Sequence, residues 1–503
     1  MELLTREYLK KNSLPQGVEC GPLEVFPEKV LQFGEGNFLR AFVDWMINRL
    51  NREGHFKGSV VAVQPINQGL ATMINEQEGC YTVLLRGLEN GEVKEIREVV
   101  TSLSRCLNSY SDWDKVKACA ENPEMEFVIS NTTEAGIIFD ETDKLSNLPP
   151  NTYPGKLTSL LYHRWLTFNG AEDKGWVMIP CELIEGNGEK LKECVVKFAA
   201  HWELPNHFQE WVKNHNIFCS TLVDRVVTGY PKDEIETIWE SLGYKDNLVD
   251  TGELFHLWVI EGPQELAEKL PFHKVGLDVI WTDDQSPYRN RKVRILNGAH
   301  TSCIPISFLY GLDTVMEMMD DEKMGKYVEQ LVYEEIIPSM DYPEDMLKSF
   351  AKDVLERFRN PYIKHYLLSI LLNSTSKFRA RVLPSLLQYA DKKGELPSKI
   401  VLSLACLLWV YREGTVEGNI LHSSRAKGEF DLQDDDFALE ILNGAWRTHG
   451  DNTLEFAKAV LRAEKIWGMD LNIVPSLTEK VAEELKALVE GKLADRITEV
   501  VGG

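Results

Sequence analysis

The sequence predicts a two-part chain: an α/β, doubly wound N-terminal domain over residues 1–285 and a mainly α-helical C-terminal domain over 286–503. Three observations predict it. Short β-branched runs alternate with helical patterns through the first part, and strand–helix–strand alternation implies right-handed parallel crossovers. A strand followed by Gly34-x-Gly36 and a helix start stands near the N-terminus. Beyond residue 286, patterns at helical spacing follow one another and strand runs are almost absent.

The β-branched and aromatic runs place strands at 29–33, 59–64, 126–130, 176–181 and 220–227. Between the first two, Phe38, Phe42, Trp45, Met46 and Leu50 recur at helical spacing, which predicts an amphipathic helix over 38–50. The stretch TDDQSPY at 282–288 supplies turn chemistry for the junction. The second part then reads as helices at 343–358, 361–372, 382–390, 400–411, 436–446, 453–467 and 477–489.

A chain of 503 residues is long enough for large cores in more than one domain. Its net charge of −23 argues against nucleic acid or an anionic membrane as the partner. It leaves room for a small anionic substrate, because a basic pocket can coexist with an acidic exterior. The first residues, MELLTREYLKKNSLPQ, lack the apolar core and cleavage site of a signal peptide, and no apolar run approaches the ~18 residues of a membrane span. Nine scattered cysteines without a Cys-x-x-Cys pair read as reduced thiols. The expectation is a cytoplasmic globular protein whose partner is a small molecule.

The segment KVLQFGEGNFLRAF carries the cofactor signal. In a first strand-to-helix turn, one glycine permits the tight bend and the second lets the backbone approach a pyrophosphate at the positive helix end. Phe33, Gly34, Gly36, Asn37 and Phe38 form this candidate Rossmann-like turn, with Leu39 at the place of the usual third glycine. The second strand ends in Gln64 and Pro65, without the acid that commonly holds the ribose of NAD. No Lys or Arg follows until Arg86 to meet a 2′-phosphate, so the reading is NAD, with Gln64 or Asn67 near the adenosine ribose. In FVISNTTEAG, Asn131, Thr132 and Glu134 sit at a strand's carboxyl end, where open α/β sheets meet ligands. Turn formation and helix capping explain the same residues.

The chemistry resides in RNRKVRILNGAHTS. On a regular helix Lys292, His300 and Asn297 fall at ~0°, ~80° and ~140°, within one arc. An amine, an imidazole and a carboxamide on one surface suit proton transfer at a sugar hydroxyl: Lys292 as acid/base, Asn297 as donor to an oxyanion, His300 as orienting group. A basic, solvated helix start accounts for the cluster equally well, since Arg289, Arg291 and Arg294 are close by. No HExxH, nucleophile elbow or Walker loop is present, and His201 and His207 lack a carboxylate partner by spacing, so a metal-free mechanism is expected. In NSTSKFRARVLPSL, Lys377, Arg379 and Arg381 interleave with apolar residues, and any of them could reach a substrate carboxylate or phosphate.

The Lys292-x4-Asn297-x2-His300 spacing, together with FGEGNFLRAF, SNTTEAG, PCELIEGNG and TLVDRV, resembles the polyol-specific long-chain dehydrogenase/reductase family over nearly the whole chain. That family includes mannitol and mannitol-1-phosphate dehydrogenases and two hexuronate-pathway reductases. The PCELI, SNTTEAG and SKFRARVLPSL wording looks most like the hexuronate branch. The resemblance implies a Rossmann-like domain, a helical domain and an active site in the cleft between them. It implies Lys292 as metal-independent acid/base, Asn297 and Asn187 as the oxyanion pair, and His300 as substrate ligand. It also implies Asp224 near cofactor and substrate, and Lys377 in the substrate pocket. The substrate expected is a keto-uronate reduced with NADH. A working base near neutral pH would need the Lys292 pKa to fall by roughly three units from ~10.4, about 4 kcal/mol. The two hexuronate reactions differ only in stereochemistry and both stay open. A mannitol-1-phosphate dehydrogenase would need a phosphate-sized basic cluster, and a non-catalytic NAD-binding regulator would show losses among Lys292, Asn297 and His300.

Overall fold

The computed structural model describes residues 1–133, 135–450 and 452–502, and it divides into two compact units, Met1–Ser286 and Pro287–Gly503. Glu134, one of the cofactor candidates, lies outside the described residues.

The first unit is built on six strands: β1 (Glu28–Phe33), β2 (Ser59–Gln64), β3 (Leu103–Asn108), β4 (Phe127–Ser130), β5 (Val177–Pro180) and β6 (Ile217–Phe218). Their order across the sheet is β3-β2-β1-β4-β5-β6, and every neighbouring pair is parallel. This is the 3-2-1-4-5-6 order of dinucleotide-binding domains, with its topological switch between β1 and β4. The strands are apolar almost throughout because both faces are covered. Val30, Val60, Ala62 and Ile129 join one core, whereas Leu31, Phe33, Val61, Val63 and Val128 join the core on the other face.

Two further sheets were not legible. A five-stranded sheet combines Val18–Cys20, Tyr81–Glu89, Glu92–Val100, Val227–Gly229 and Asp250–Glu253, and a three-stranded one combines Ser220–Asp224, Leu257–Glu261 and Val279–Thr282. The expected single strand at 220–227 therefore breaks after Asp224 and serves both. Arg225 fixes the break: its guanidinium donates to the carbonyls of Ala41, Leu254 and Phe255 and lies 4.3 Å from the Trp45 ring centre.

The second unit is mainly helical. Ser286–Arg291, a π-helical turn Lys292–Asn297 and Gly298–Tyr310 run on as one continuous helix. Three expectations need correction here. Of 361–372 only Leu367–Leu371 is helical, because the backbone before it pairs with residues 313–315 (Val315 N to His365 O, Leu367 N to Asp313 O). The span 453–467 divides into Thr453–Leu461 and Glu464–Trp467. The unit also holds an antiparallel meander, Thr415–Glu417, Ile420–Arg425 and Gly428–Gln433. Its polar faces hide it from hydrophobic patterning, since Leu421, Phe430 and Leu432 are the residues it buries.

Candidate functional site

At the switch point, β1 runs into Gly34, whose φ of +115° only glycine adopts easily. A Cβ there would also stand 2.8 Å from the Asn131 carbonyl oxygen, so the β1 and β4 ends meet backbone to backbone. Gly36 caps the helical run Asn37–Arg52; it is exposed, and a Cβ on it would meet nothing within 4 Å. Open ground before the positive end of a long helix fits a pyrophosphate. The side chains that flank the turn do other work than ligand contact. Phe33 is fully buried with its ring 5.0 Å from that of Tyr153, and the Asn37 Oδ1 accepts from Arg40 at 2.7 Å. Phe38 stacks on Phe42 at 4.9 Å. These residues can serve a dinucleotide through their backbone.

Gln64 is buried as well. Its amide donates to the Ile66 carbonyl at 2.7 Å and accepts from Ala71 N at 3.1 Å, which folds the 65–70 loop over the strand tip. The Gln64 side chain therefore holds a loop where the sequence suggested a ribose contact. Glu35, the middle residue of the glycine turn, accepts from Leu70 N at 3.2 Å, and burial raises its carboxyl pKa. A carboxylate thus reaches this loop from the turn instead of from the strand tip.

The end of β4 is pinned by Glu182, which lies within PCELIEGNG. Its carboxylate accepts from Ser130 Oγ at 3.1 Å, Thr132 N at 3.0 Å and Thr132 Oγ1 at 3.1 Å, and burial raises its pKa. Asn131 donates to the Cys181 carbonyl at 2.8 Å. Asn187 opens the helix Asn187–His201 and is fully buried. Its Nδ2 donates among the carbonyls of Pro180 (3.1 Å), Glu182 (3.0 Å) and Thr221 (3.2 Å), and its Oδ1 accepts from Gly188 N (2.9 Å) and Thr221 N (2.8 Å). With two amide protons shared among those acceptors, the carboxamide has none left for a substrate oxygen. The Asn187 carboxamide here ties the end of β5 and the strand Ser220–Asp224 to the start of its own helix. Asp224 is buried at the end of Ser220–Asp224.

In the second unit, Lys292 and Asn297 open and close the π-helical turn, and both are half-buried. A π turn closes i to i+5 and rotates each residue by less than a regular helix does. Asn297 therefore lies nearer the Lys292 azimuth than the ~140° of a regular helix. Among the described residues no hydrogen bond engages the Asn297 side chain. His300 follows on Gly298–Tyr310, its ring stacked on Phe358 at 4.1 Å and perpendicular to that of His365 at 5.6 Å. Its Nε2 is buried without a partner among the described residues. Burial, helped by the charges of His365, Arg357 and Arg381, pushes its pKa down to about 3, so the ring is neutral at pH 7. Arg294 is held by Ser385 Oγ (2.6 Å) and Ser339 Oγ (2.9 Å).

Lys377, Arg379 and Arg381 lie on the helix Ser374–Arg381. Helical spacing puts Lys377 and Arg381, four apart, on one face and Arg379 on the other. The guanidinium of Arg379 accordingly rests against Gly468, where a Cβ would meet its Nη2 at 2.7 Å. This takes Arg379 out of the group that shares a face with Lys377. The amine of Lys377 donates to the carbonyls of Ile370 (2.9 Å) and Leu372 (2.5 Å). Among the described residues no group of three or more His, Cys, Asp or Glu could hold a metal ion, and no helix is long and apolar enough to cross a membrane.

Comparison with known proteins agrees with this architecture. The mannitol dehydrogenase Rossmann domain matches residues 28–274, and the mannitol dehydrogenase C-terminal domain matches 284–489. The chain belongs to the mannitol dehydrogenase family. It is 48% identical over 469 residues to an altronate oxidoreductase of Pectobacterium carotovorum subsp. carotovorum, covering 92% of this chain and 95% of that protein. A substrate-free D-sorbitol dehydrogenase structure matches at TM-score 0.81 and 20% identity, over 98% of this chain and 100% of the other. The mannitol 2-dehydrogenase of Pseudomonas fluorescens, solved with NAD and D-mannitol, matches at TM-score 0.68 and 19% identity, over 100% and 99%. These two likenesses are of fold. Family membership makes this chain an oxidoreductase acting on CH–OH groups.

Proposed function

We propose that this protein is an NAD-dependent altronate oxidoreductase, interconverting D-altronate and D-tagaturonate with Lys292 as a metal-independent acid/base. The observation that carries the reading is the Lys292–Asn297–His300 segment: Lys292 and Asn297 bound one π-helical turn, and among the described residues neither the Asn297 carboxamide nor the buried His300 Nε2 has a hydrogen-bond partner. The relative at 48% identity, named for altronate, supports the substrate class. When bound, the nicotinamide gives or takes the hydride. Lys292 delivers a proton to the oxygen of the carbonyl being reduced and takes it back in oxidation. Asn297 donates a hydrogen bond to that oxygen as charge gathers on it. His300, neutral at pH 7, can donate or accept at Nε2 to a neighbouring hydroxyl without adding a charge that would compete with the lysine.

Gly34, Gly36 and the helix start hold the dinucleotide, and Asn131 and Thr132 line the switch point, fixed by Cys181 and Glu182. The preference for NAD is supported by the 65–70 loop, which carries no cation, and by the Glu35 carboxylate reaching it, a poor setting for a 2′-phosphate. The test is NADH oxidation by the purified protein with tagaturonate, fructuronate, fructose and fructose 6-phosphate. Tagaturonate is expected to give the highest kcat/KM. Preference for fructuronate would transfer the assignment to the sister reaction, and preference for the phosphate ester would exclude both.

A further inference from the structure

Arg381 ends the helix Ser374–Arg381 half-buried, yet among the described residues nothing accepts a hydrogen bond from its guanidinium. A partly desolvated cation without an acceptor is costly unless a ligand supplies one, and this chain, at −23, has no shortage of carboxylates to pair with it. Its place in the second unit gives that ligand a location. A Cβ on Gly298 would lie 3.1 Å from the Arg381 carbonyl oxygen, so the helix end abuts the residue that follows Asn297. His365, exposed, has its ring perpendicular to that of His300 at 5.6 Å, and its backbone carbonyl accepts from the Val315 N–H at 3.0 Å.

We infer that Arg381, assisted by His365, binds the terminal carboxylate of the sugar acid and so selects keto-uronates over neutral ketoses. The inference rests on the sugar-acid reading above and names the side chain that reads the acid. Three observations favour Arg381 over its neighbours. Arg379 points to the opposite helix face, against Gly468. Lys377 already donates to the Ile370 and Leu372 carbonyls, which makes it a brace for the loop before the helix. The helix start is itself fixed, with Asp434 accepting from Thr375 N at 3.1 Å and Thr375 Oγ1 at 2.9 Å, and Asn373 N donating to Gln433 O at 2.8 Å. Arg381 thus stands on a braced element, and its charge reaches both His300 and Lys377. A planar guanidinium matches a carboxylate through two parallel N–H···O bonds. A phosphate dianion would call for a second uncommitted cation on this face, and Lys377 is held by two carbonyls.

The experiment uses the full-length enzyme with tagaturonate and with tagatose, the same chain without the acid. Arg381→Gln is expected to raise KM for tagaturonate about ten- to a hundredfold, leaving kcat within about twofold and KM for tagatose unchanged. Arg381→Lys should recover part of the loss, because it restores charge without the fork. Should Arg381→Gln not fold, Arg381→Lys read against tagatose carries the same comparison. An equal rise in KM for both sugars, or a selective loss in Arg379→Gln instead, overturns the assignment of Arg381 while the sugar-acid reading stands. Wild-type protein that turns over fructose 6-phosphate and no keto-uronate ends the sugar-acid reading, and this proposal with it.

Discussion

Asn187 and Asn297 bear the same carboxamide, and the family resemblance gives both the same role, but their surroundings are opposite. Asn187 is fully buried and makes hydrogen bonds in every direction to the backbone of residues 180–188 and 221. Asn297 is half-buried on a π-helical turn, and no hydrogen bond engages its side chain among the described residues. The same contrast separates the two regions that carry them. Around the glycine turn, the side chains of Asn37, Gln64, Thr132 and Glu182 all have hydrogen-bond partners within the protein. In the second unit, the Asn297 carboxamide, His300 Nε2 and the Arg381 guanidinium make no hydrogen bond among the described residues. A buried amide with all its partners resists rearrangement, whereas one with none is ready for a ligand. The first region builds a site out of backbone, and the second presents side chains to a substrate.

The largest effect is expected at the reacting amine. Lys292→Ala should lower kcat by about 10²- to 10⁴-fold, the usual contribution of a positioned acid/base, with NADH affinity by fluorescence titration unchanged. Near-normal turnover in a folded Lys292→Ala protein would end the assignment of this surface as the site of proton transfer.

The two asparagines then test the comparison directly. Asn297→Ala should cut kcat about 10²- to 10³-fold, while urea unfolding shifts by less than about 0.5 kcal/mol. Asn187→Ala should destabilise the protein by about 3 kcal/mol, since the buried Thr221 and Gly188 N–H groups both lose their acceptor. An Asn187→Ala protein with unchanged unfolding and a selective loss of kcat would favour the oxyanion role that the family resemblance implies for it.

Much of this contrast could be read from the sequence, and the unread part has a physical cause. The strands β1, β2, β4 and β5 are buried on both faces and so announce themselves as apolar runs. β3, LSRCLN, carries Ser104 and Arg105, whose side chains bond Glu28, and its pattern resembles a loop. Lys292, Asn297 and His300 are legible because their spacing on one helix is local. Whether an amide is engaged depends on partners far along the chain, as Thr221 is for Asn187, and no spacing rule reveals that. Nor does the sequence announce a π turn, which shifts Asn297 relative to Lys292. Arg379 illustrates the reverse case: once 374–381 is known to be helical, its separation from Lys377 and Arg381 follows from the helical period alone.

His300 adds a pH dependence of known sign. Its folded pKa of about 3 lies below the usual 6.5, so the unfolded chain binds the proton first as pH falls. The stability of the neutral, stacked ring is fully present above about pH 6.5 and is lost progressively as pH drops towards 3. The unfolding midpoint of the wild type should therefore fall more between pH 7 and pH 5 than that of His300→Gln. Parallel pH curves for the two proteins would mean that the ring takes up a proton as readily in the folded state as in the unfolded chain.

The smallest effect tests the other region and has the opposite sign. Asp44 lies fully buried in the helical run after the glycine turn, where its Oδ2 accepts from Gln32 Nε2 at 3.2 Å and from the Tyr81 hydroxyl at 3.4 Å. Its Oδ1 has no partner among the described residues, and burial raises the carboxyl pKa from its usual 3.8 to about 7. The folded state therefore binds a proton that the unfolded chain releases, and stability falls as pH rises through this window. Between pH 6 and pH 8 the contribution is about 1 kcal/mol. Asp44→Asn keeps the shape and cannot ionise, so its stability should decline less than that of the wild type over that range. Parallel declines in the two proteins would show instead that the Asp44 carboxyl is already ionised in the folded state across this range.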